Sequence, residues 1–122
     1  KELRLGNLDA RRDWGHARDY VEGMWRMLQH DEPDDFVLAT GVQRTVWEFA
    51  QAVEWIMEVD PYAYTLVSDS RYKRPTEVDS LRGDARKAKE VLGWEPKTSF
   101  EDLVREMCAA DLEEARRELS RS

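Results

Sequence analysis

Leu5-Gly-Asn-Leu-Asp-Ala-Arg-Arg-Asp-Trp-Gly-His-Ala-Arg-Asp-Tyr20 holds a strand end, a charged loop and a helix start in one short run. Leu5-Gly6-Asn7 closes a short apolar strand over residues 3–5. Asp9, Arg11, Arg12 and Asp13 then crowd charge into a segment that must loop before the chain turns helical. The spacing predicts a helix over residues 16–29. Ala17, Tyr20, Val21, Met24 and Leu28 fall at i, i+3, i+4, i+7 and i+11, which places them on one face expected to meet the core.

Outward from that stretch, strands and helices alternate. A polar, proline-containing breaker at residues 30–35 precedes Phe36-Val-Leu-Ala39, a continuous apolar run that reads as a buried parallel strand. Thr45 with Glu48 forms a capping box opening a second helix, whose core face is Val46, Phe49, Val53, Ile56 and Met57 and which stops at Asp60-Pro61. Residues 64–67 form a third strand, and Ser68-Asp69-Ser70 is a polar turn. Asp84 is expected to cap a short helix that carries Ala85, Ala88 and Leu92 and ends at Gly93. Thr98 with Glu101 suggests a second capping box for a long last helix through Leu103, Val104 and Met107; the charged residues 113–122 are expected to fray. The result is one small mixed α/β domain over residues 1–122, with about three short strands and four helices.

Composition removes several function classes. Nineteen basic against 26 acidic residues leave a formal charge of −7, the wrong sign for a surface that displaces counterions from nucleic acid. No apolar run approaches the roughly 20 residues of a membrane span. One cysteine, Cys108, cannot close an internal disulfide, so a reducing cytoplasm is the expected location and core filling its expected role. The two histidines, His16 and His30, are far apart and lack a matching ligand set, so no metal site is expected; His16, beside a helix start, reads as a structural hydrogen-bonder. The first residue is lysine, directly before a strand, which reads as a cut start.

Three stretches together resemble a known family. The opening run resembles L-G-N-L-D-x-x-R-D-W-G-H-A-x-D-Y-V of the GDP-mannose 4,6-dehydratases, which are extended short-chain dehydrogenases using NADP. Tyr72-Lys-Arg-Pro-Thr-Glu-Val-Asp79 resembles a second family segment. Gly83-Asp84 and Lys87-Ala-Lys-Glu-Val-Leu-Gly-Trp94 follow in the family's order. The resemblance implies the carboxy-terminal, substrate-binding third of such an enzyme. It also implies that the catalytic Thr/Ser, Glu, Tyr and Lys and the NADP site lie outside this sequence. The residues agree: the six glycines never form G-x-G-x-x-G, and no tyrosine is followed four positions later by lysine. No catalytic residue, cofactor or independent activity is therefore expected of this chain.

The resemblance places Arg12 and the Arg74/Glu77 pair around the GDP part of a sugar nucleotide, with Asn7 near the base. The chemistry suits those roles, because guanidinium forks match diphosphate oxygens and a carboxylate accepts from ribose hydroxyls. The bland alternative has Arg12 and Arg74 paired with neighbouring acids such as Asp13 and Asp79. One feature departs from the family. Trp47, Gln51 and Trp55 form a stripe on the second helix, roughly 140° from its core face at 100° per residue. Tryptophan is enriched at binding hot spots, so the stripe reads as an interface for another protein or a second copy, unless it packs within the chain. The first reading is a truncated, inactive sugar-nucleotide-binding domain adapted as a protein-binding scaffold through that stripe, with engineering a candidate origin. The alternative is a plain GDP-mannose-binding fragment that holds its ligand weakly at most. Trp94, between the helix stop at Gly93 and Pro96, is expected to be structural, folded over Leu92 and the last helix.

Overall fold

A computed structural model describes residues 1–122. Strand β1 (Glu2–Leu5) pairs in parallel with β4 (Thr65–Ser68), Leu3 opposite Leu66 and Leu5 opposite Ser68. A two-residue antiparallel pair joins β2 (Arg11–Arg12) to β3 (Arg44–Thr45), which the sequence did not indicate because two residues carry no periodicity. Four helices complete the chain: α1 (Ala17–Gln29), α2 (Val46–Ile56), α3 (Arg86–Leu92) and α4 (Phe100–Arg121).

The helix starts are set by local chemistry. His16 caps α1 by accepting the Arg18 N–H on Nδ1, which leaves Nε2 as the donor to Glu106 on α4 at 3.0 Å. Thr45 and Glu48 close the expected capping box on α2. Gly93 ends α3 in the left-handed region at φ 64°, where a side chain would be strained. Helix α3 begins one residue later than a cap at Asp84 implies, although Asp84 still accepts the Arg86 N–H at 3.1 Å. The cap of α4 is Ser99, bonded to Asp102 N–H, not Thr98 with Glu101. Thr98 is otherwise engaged: its N–H donates to Asp19. Residues 113–122 do not fray; α4 continues to Arg121, with an i,i+4 pair between Glu113 and Arg117 and no breaker in its path.

Two expectations about packing fail, for related reasons. Residues 36–39 form no strand, because Gly83, which lies against Ala39 and Val37, shares no backbone hydrogen bond with them and no other segment pairs with the run. Helix α1 turns its small and polar face inward: Asp19 and Gly23 are buried, while Val21, Met24 and Leu28 are 61%, 56% and 83% exposed. The inward face is committed to the 92–98 segment. Arg26 donates to the carbonyls of Leu92 and Gly93, and the Trp94 indole N–H donates to the Asp19 carbonyl at 2.7 Å. Trp94 is 1% exposed and stacks obliquely on Tyr20, so it is structural as expected but lies under α1 rather than over the last helix.

A second layer forms where α2 meets α4. Phe49 and Phe100 meet edge to face at 5.6 Å, Trp14 closes on Phe49 at 5.1 Å, and the Arg44 guanidinium caps the Phe100 ring. Cys108 lies half-buried in this layer, and burial pushes its thiol upward. Tyr64, just before β4, donates its hydroxyl to Glu54 on α2. That hydrogen bond to a carboxylate, with burial second, raises the phenol to about 12.

Trp94→Ala is expected to destabilise the chain by about 3–5 kcal/mol, the range for a buried large aromatic, as read by denaturant titration. A loss under about 1 kcal/mol would mean the ring is not a core element. Tyr64→Phe should cost about 1 kcal/mol near neutral pH. A raised folded pKa stabilises fully below the unfolded value near 10 and is lost as pH climbs through the folded value. Melting curves of the two proteins should therefore converge as pH rises from 10 toward 12.

Candidate functional site

The segment after β1 and the segment after β4 lie against each other. Asp69 N–H donates to the Leu5 carbonyl at 2.7 Å, and Ser68 Oγ donates to the Gly6 carbonyl at 2.8 Å. A side chain at Gly6 would sit 2.7 Å from the Tyr72 carbonyl oxygen, so only glycine lets these two backbones approach so closely. Asn7 then turns the chain, its side-chain oxygen accepting the Asp9 N–H at 3.1 Å. β2 continues along residues 79–81: Arg11 N–H donates to the Asp79 carbonyl and Leu81 N–H to the Arg11 carbonyl.

This geometry brings Arg12 to Glu77, 65 residues away in sequence. One guanidinium nitrogen donates to the Val78 and Arg11 carbonyls, the other to Glu77 at 3.0 Å, and both side chains are 24% exposed. Arg12 thus pairs with another candidate site residue, and not with Asp13 or Asp79. Three of its five N–H groups are used, so two remain for a ligand. Arg74 is exposed and outside every ion pair of the chain. Asn7 keeps its amide donors, since only its oxygen is engaged in the turn.

Two carboxylates missed at the sequence level build the frame. Asp69 is 7% exposed, accepts from Arg4 at 3.3 Å, and is gripped by the Arg71 guanidinium and backbone N–H. Those Arg71 bonds hold its carboxyl far below the usual range, so it stays ionised. Asp13 accepts the Thr40 N–H and hydroxyl, the Gly41 N–H and the Gly83 N–H, tying three separated segments together. An aspartate after an apolar strand, with arginine two residues on, was the available signal for Asp69. Nothing local marks Asp13.

Chemically, the Arg12–Glu77 pair offers guanidinium donors and a carboxylate without a paired general acid and base; no hydrogen bond or ion pair joins Asn7 or Arg74 to it. No group of three or more His, Cys, Asp or Glu is placed to hold a metal ion, and no helix is long and apolar enough to cross a membrane. The stripe on α2 faces solvent: Trp47 is 44% exposed, Trp55 71%, and Gln51 lies between them.

A family model described as GDP-mannose 4,6 dehydratase matches residues 1–107. The human protein named GDP-mannose 4,6 dehydratase is 50% identical over 125 aligned residues, covering 89% of this chain and 34% of that protein. GDP-mannose 4,6 dehydratase 1 of Arabidopsis thaliana is 53% identical, covering 96% of this chain and 32% of that protein. The chain therefore spans about a third of the length of the curated relatives it matches. Among solved structures, UDP-glucose 4-epimerase of Thermotoga maritima with UDP-glucose superposes with a TM-score of 0.80 at 24% identity, over 94% of this chain and 36% of that one. A dTDP-glucose 4,6-dehydratase of Bacillus anthracis in complex with NAD gives 0.75 at 22%, over 89% and 34%. At those identities the structural likeness speaks for the fold alone.

Proposed function

The chain belongs to the GDP-mannose 4,6-dehydratase family, and on that premise we propose that it is the sugar-nucleotide-holding portion of such an enzyme, without turnover of its own. The reading rests on one observation: Arg12 and Glu77, 65 residues apart in sequence, are fixed against each other with donors to spare on the guanidinium. In this reading the free N–H groups of Arg12 and the unpaired Arg74 take diphosphate oxygens. Glu77 accepts from ribose hydroxyls through its second oxygen, and the Asn7 amide meets the base. Proton and hydride transfer, with NADP, belong to sequence beyond this chain. A cytoplasmic location goes with the same reading.

A site made of so few contacts binds weakly, because they offset little of the freedom a ligand loses on association. Calorimetry with GDP-mannose should show millimolar affinity or weaker, reduced further by Arg74→Ala and by Arg12→Ala. Micromolar binding indifferent to Arg74→Ala would place the site elsewhere. Dehydration of GDP-mannose by the pure 122-residue chain would overturn the whole reading.

The exposure of Trp47 and Trp55 favours a second reading, in which the α2 stripe with Gln51 contacts a protein partner or a second copy. No observation favours an engineered origin. Trp47→Ala and Trp55→Ala should each change folding stability by less than about 0.5 kcal/mol. The same changes should weaken any association seen by sedimentation by about 2 kcal/mol or more. A large loss of stability with unchanged sedimentation would assign both rings to the fold.

A further inference from the structure

Only nine of the chain's 122 residues are buried, a thin core, so exposure of an apolar side chain does not by itself single out a surface. Charge does. Residues 45–70 hold Glu48, Glu54, Glu58, Asp60 and Asp69 and no lysine, arginine or histidine, although the chain has 19 basic residues elsewhere. Helix α2 lies wholly inside that stretch, so its last turn carries no cation to offset the partial negative charge of its carbonyl end. Asp69 is paired with Arg4 and Arg71, and Glu54 accepts the Tyr64 hydroxyl through one oxygen. Glu58 and Asp60 enter no ion pair, and the Asp60 carboxylate accepts only the Tyr62 N–H.

These acids converge on an aromatic ring. A cavity of about 640 Å³ at the end of α2 is lined by Glu54, Trp55, Glu58 and Asp60 and, from α4, by Arg105. Trp55 is 71% exposed there, and Trp47 lies about two turns back along the same stripe. The face of a tryptophan attracts a cation, and carboxylates around it supply the ionic partners that hold one in place. Arg105 is the one cation of the lining and belongs to no ion pair; a single guanidinium does not neutralise three carboxylates.

We propose that this end of the α2 stripe takes a basic segment of a different protein, with an arginine or lysine side chain entering the cavity over Trp55 while Trp47 and Gln51 meet the flanking residues. The proposal rests on the reading of the stripe as an interface and supplies the chemistry of its partner. A second copy of the chain does not fit. A two-fold contact through the stripe would set Glu48, Glu54, Glu58 and Asp60 against the same residues of the copy.

The test titrates the 122-residue chain with a short, blocked peptide of alternating arginine and alanine, followed by calorimetry and by the NMR signals of the indole N–H groups. The peptide should bind, shift the Trp55 signal, and bind less tightly as salt is raised, since exposed ion pairs are screened. Trp55→Ala, and separately Glu58→Gln with Asp60→Asn, should each weaken binding about tenfold or more and leave the melting temperature unchanged. The carboxylate pair gives the answer if Trp55→Ala fails to fold. Glu114→Gln with Glu118→Gln, the same change of charge further along α4, should leave the affinity as it was. Absence of binding would overturn the proposal. So would equal weakening by the two pairs of carboxylate changes, which would mean attraction to the net charge of −7 alone. The stripe itself is judged separately. If the peptide ignores the cavity while sedimentation shows self-association that Trp47→Ala abolishes, α2 is an interface and the basic partner is wrong.

Discussion

The carboxylate of Asp19 is the constraint from which most of the arrangement follows. It is 3% exposed and accepts the backbone N–H groups of Lys97 and Thr98 at 3.1 and 2.9 Å, while its own carbonyl takes the Trp94 indole. A buried charge is tolerable only when donors surround it, and two backbone amides together with the first turn of α1 provide that setting. The consequence is geometric. Once Asp19 faces the 94–98 segment, Gly23 and Arg26 must face the same way, and the apolar side of α1 is turned outward. Asp13, six residues earlier, ties residues 40, 41 and 83 in the same manner. Two aspartates of one short stretch thus position three distant parts of the chain.

Features that close within a few residues were legible in the sequence. The Thr45/Glu48 box, the hydrogen-bonding role of His16 beside a helix start and the stop at Gly93 need only their neighbours, and each is present. Long-range facts were less accessible. The period of Ala17, Tyr20, Val21, Met24 and Leu28 marks a helix correctly, yet periodicity cannot say which face the chain itself covers. The strand expected at residues 36–39 has the right composition and lacks only a hydrogen-bonded partner, which no local signal reports. Ser99 replaced Thr98 as a cap because the Thr98 amide was already claimed by Asp19. At the candidate site, the Arg12 and Glu77 positions came from family resemblance; their contact goes with β2 lying along residues 79–81, a long-range pairing that residue identity alone does not reveal.

The candidate site divides its arginines by role. Arg71 and Arg4 both bond Asp69, and Arg44 covers an aromatic face, so these three help to set the local shape. Arg12 is partly spent, which fixes its plane and aims its remaining donors. Arg74 is exposed and unpaired, so any contact it makes costs side-chain entropy. In the proposed sugar-nucleotide reading, one fixed and one free guanidinium would combine orientation with reach.

The thin core has a thermodynamic consequence. Heat-capacity change on unfolding tracks newly hydrated apolar surface, typically about 12–15 cal/mol/K per residue in well-buried domains. With so few residues out of water, this chain should fall below that range, and its denaturant dependence should be shallow for its length. A flatter stability curve in turn means that stability changes only gradually on either side of its maximum, so cooling and warming erode it at similar, slow rates.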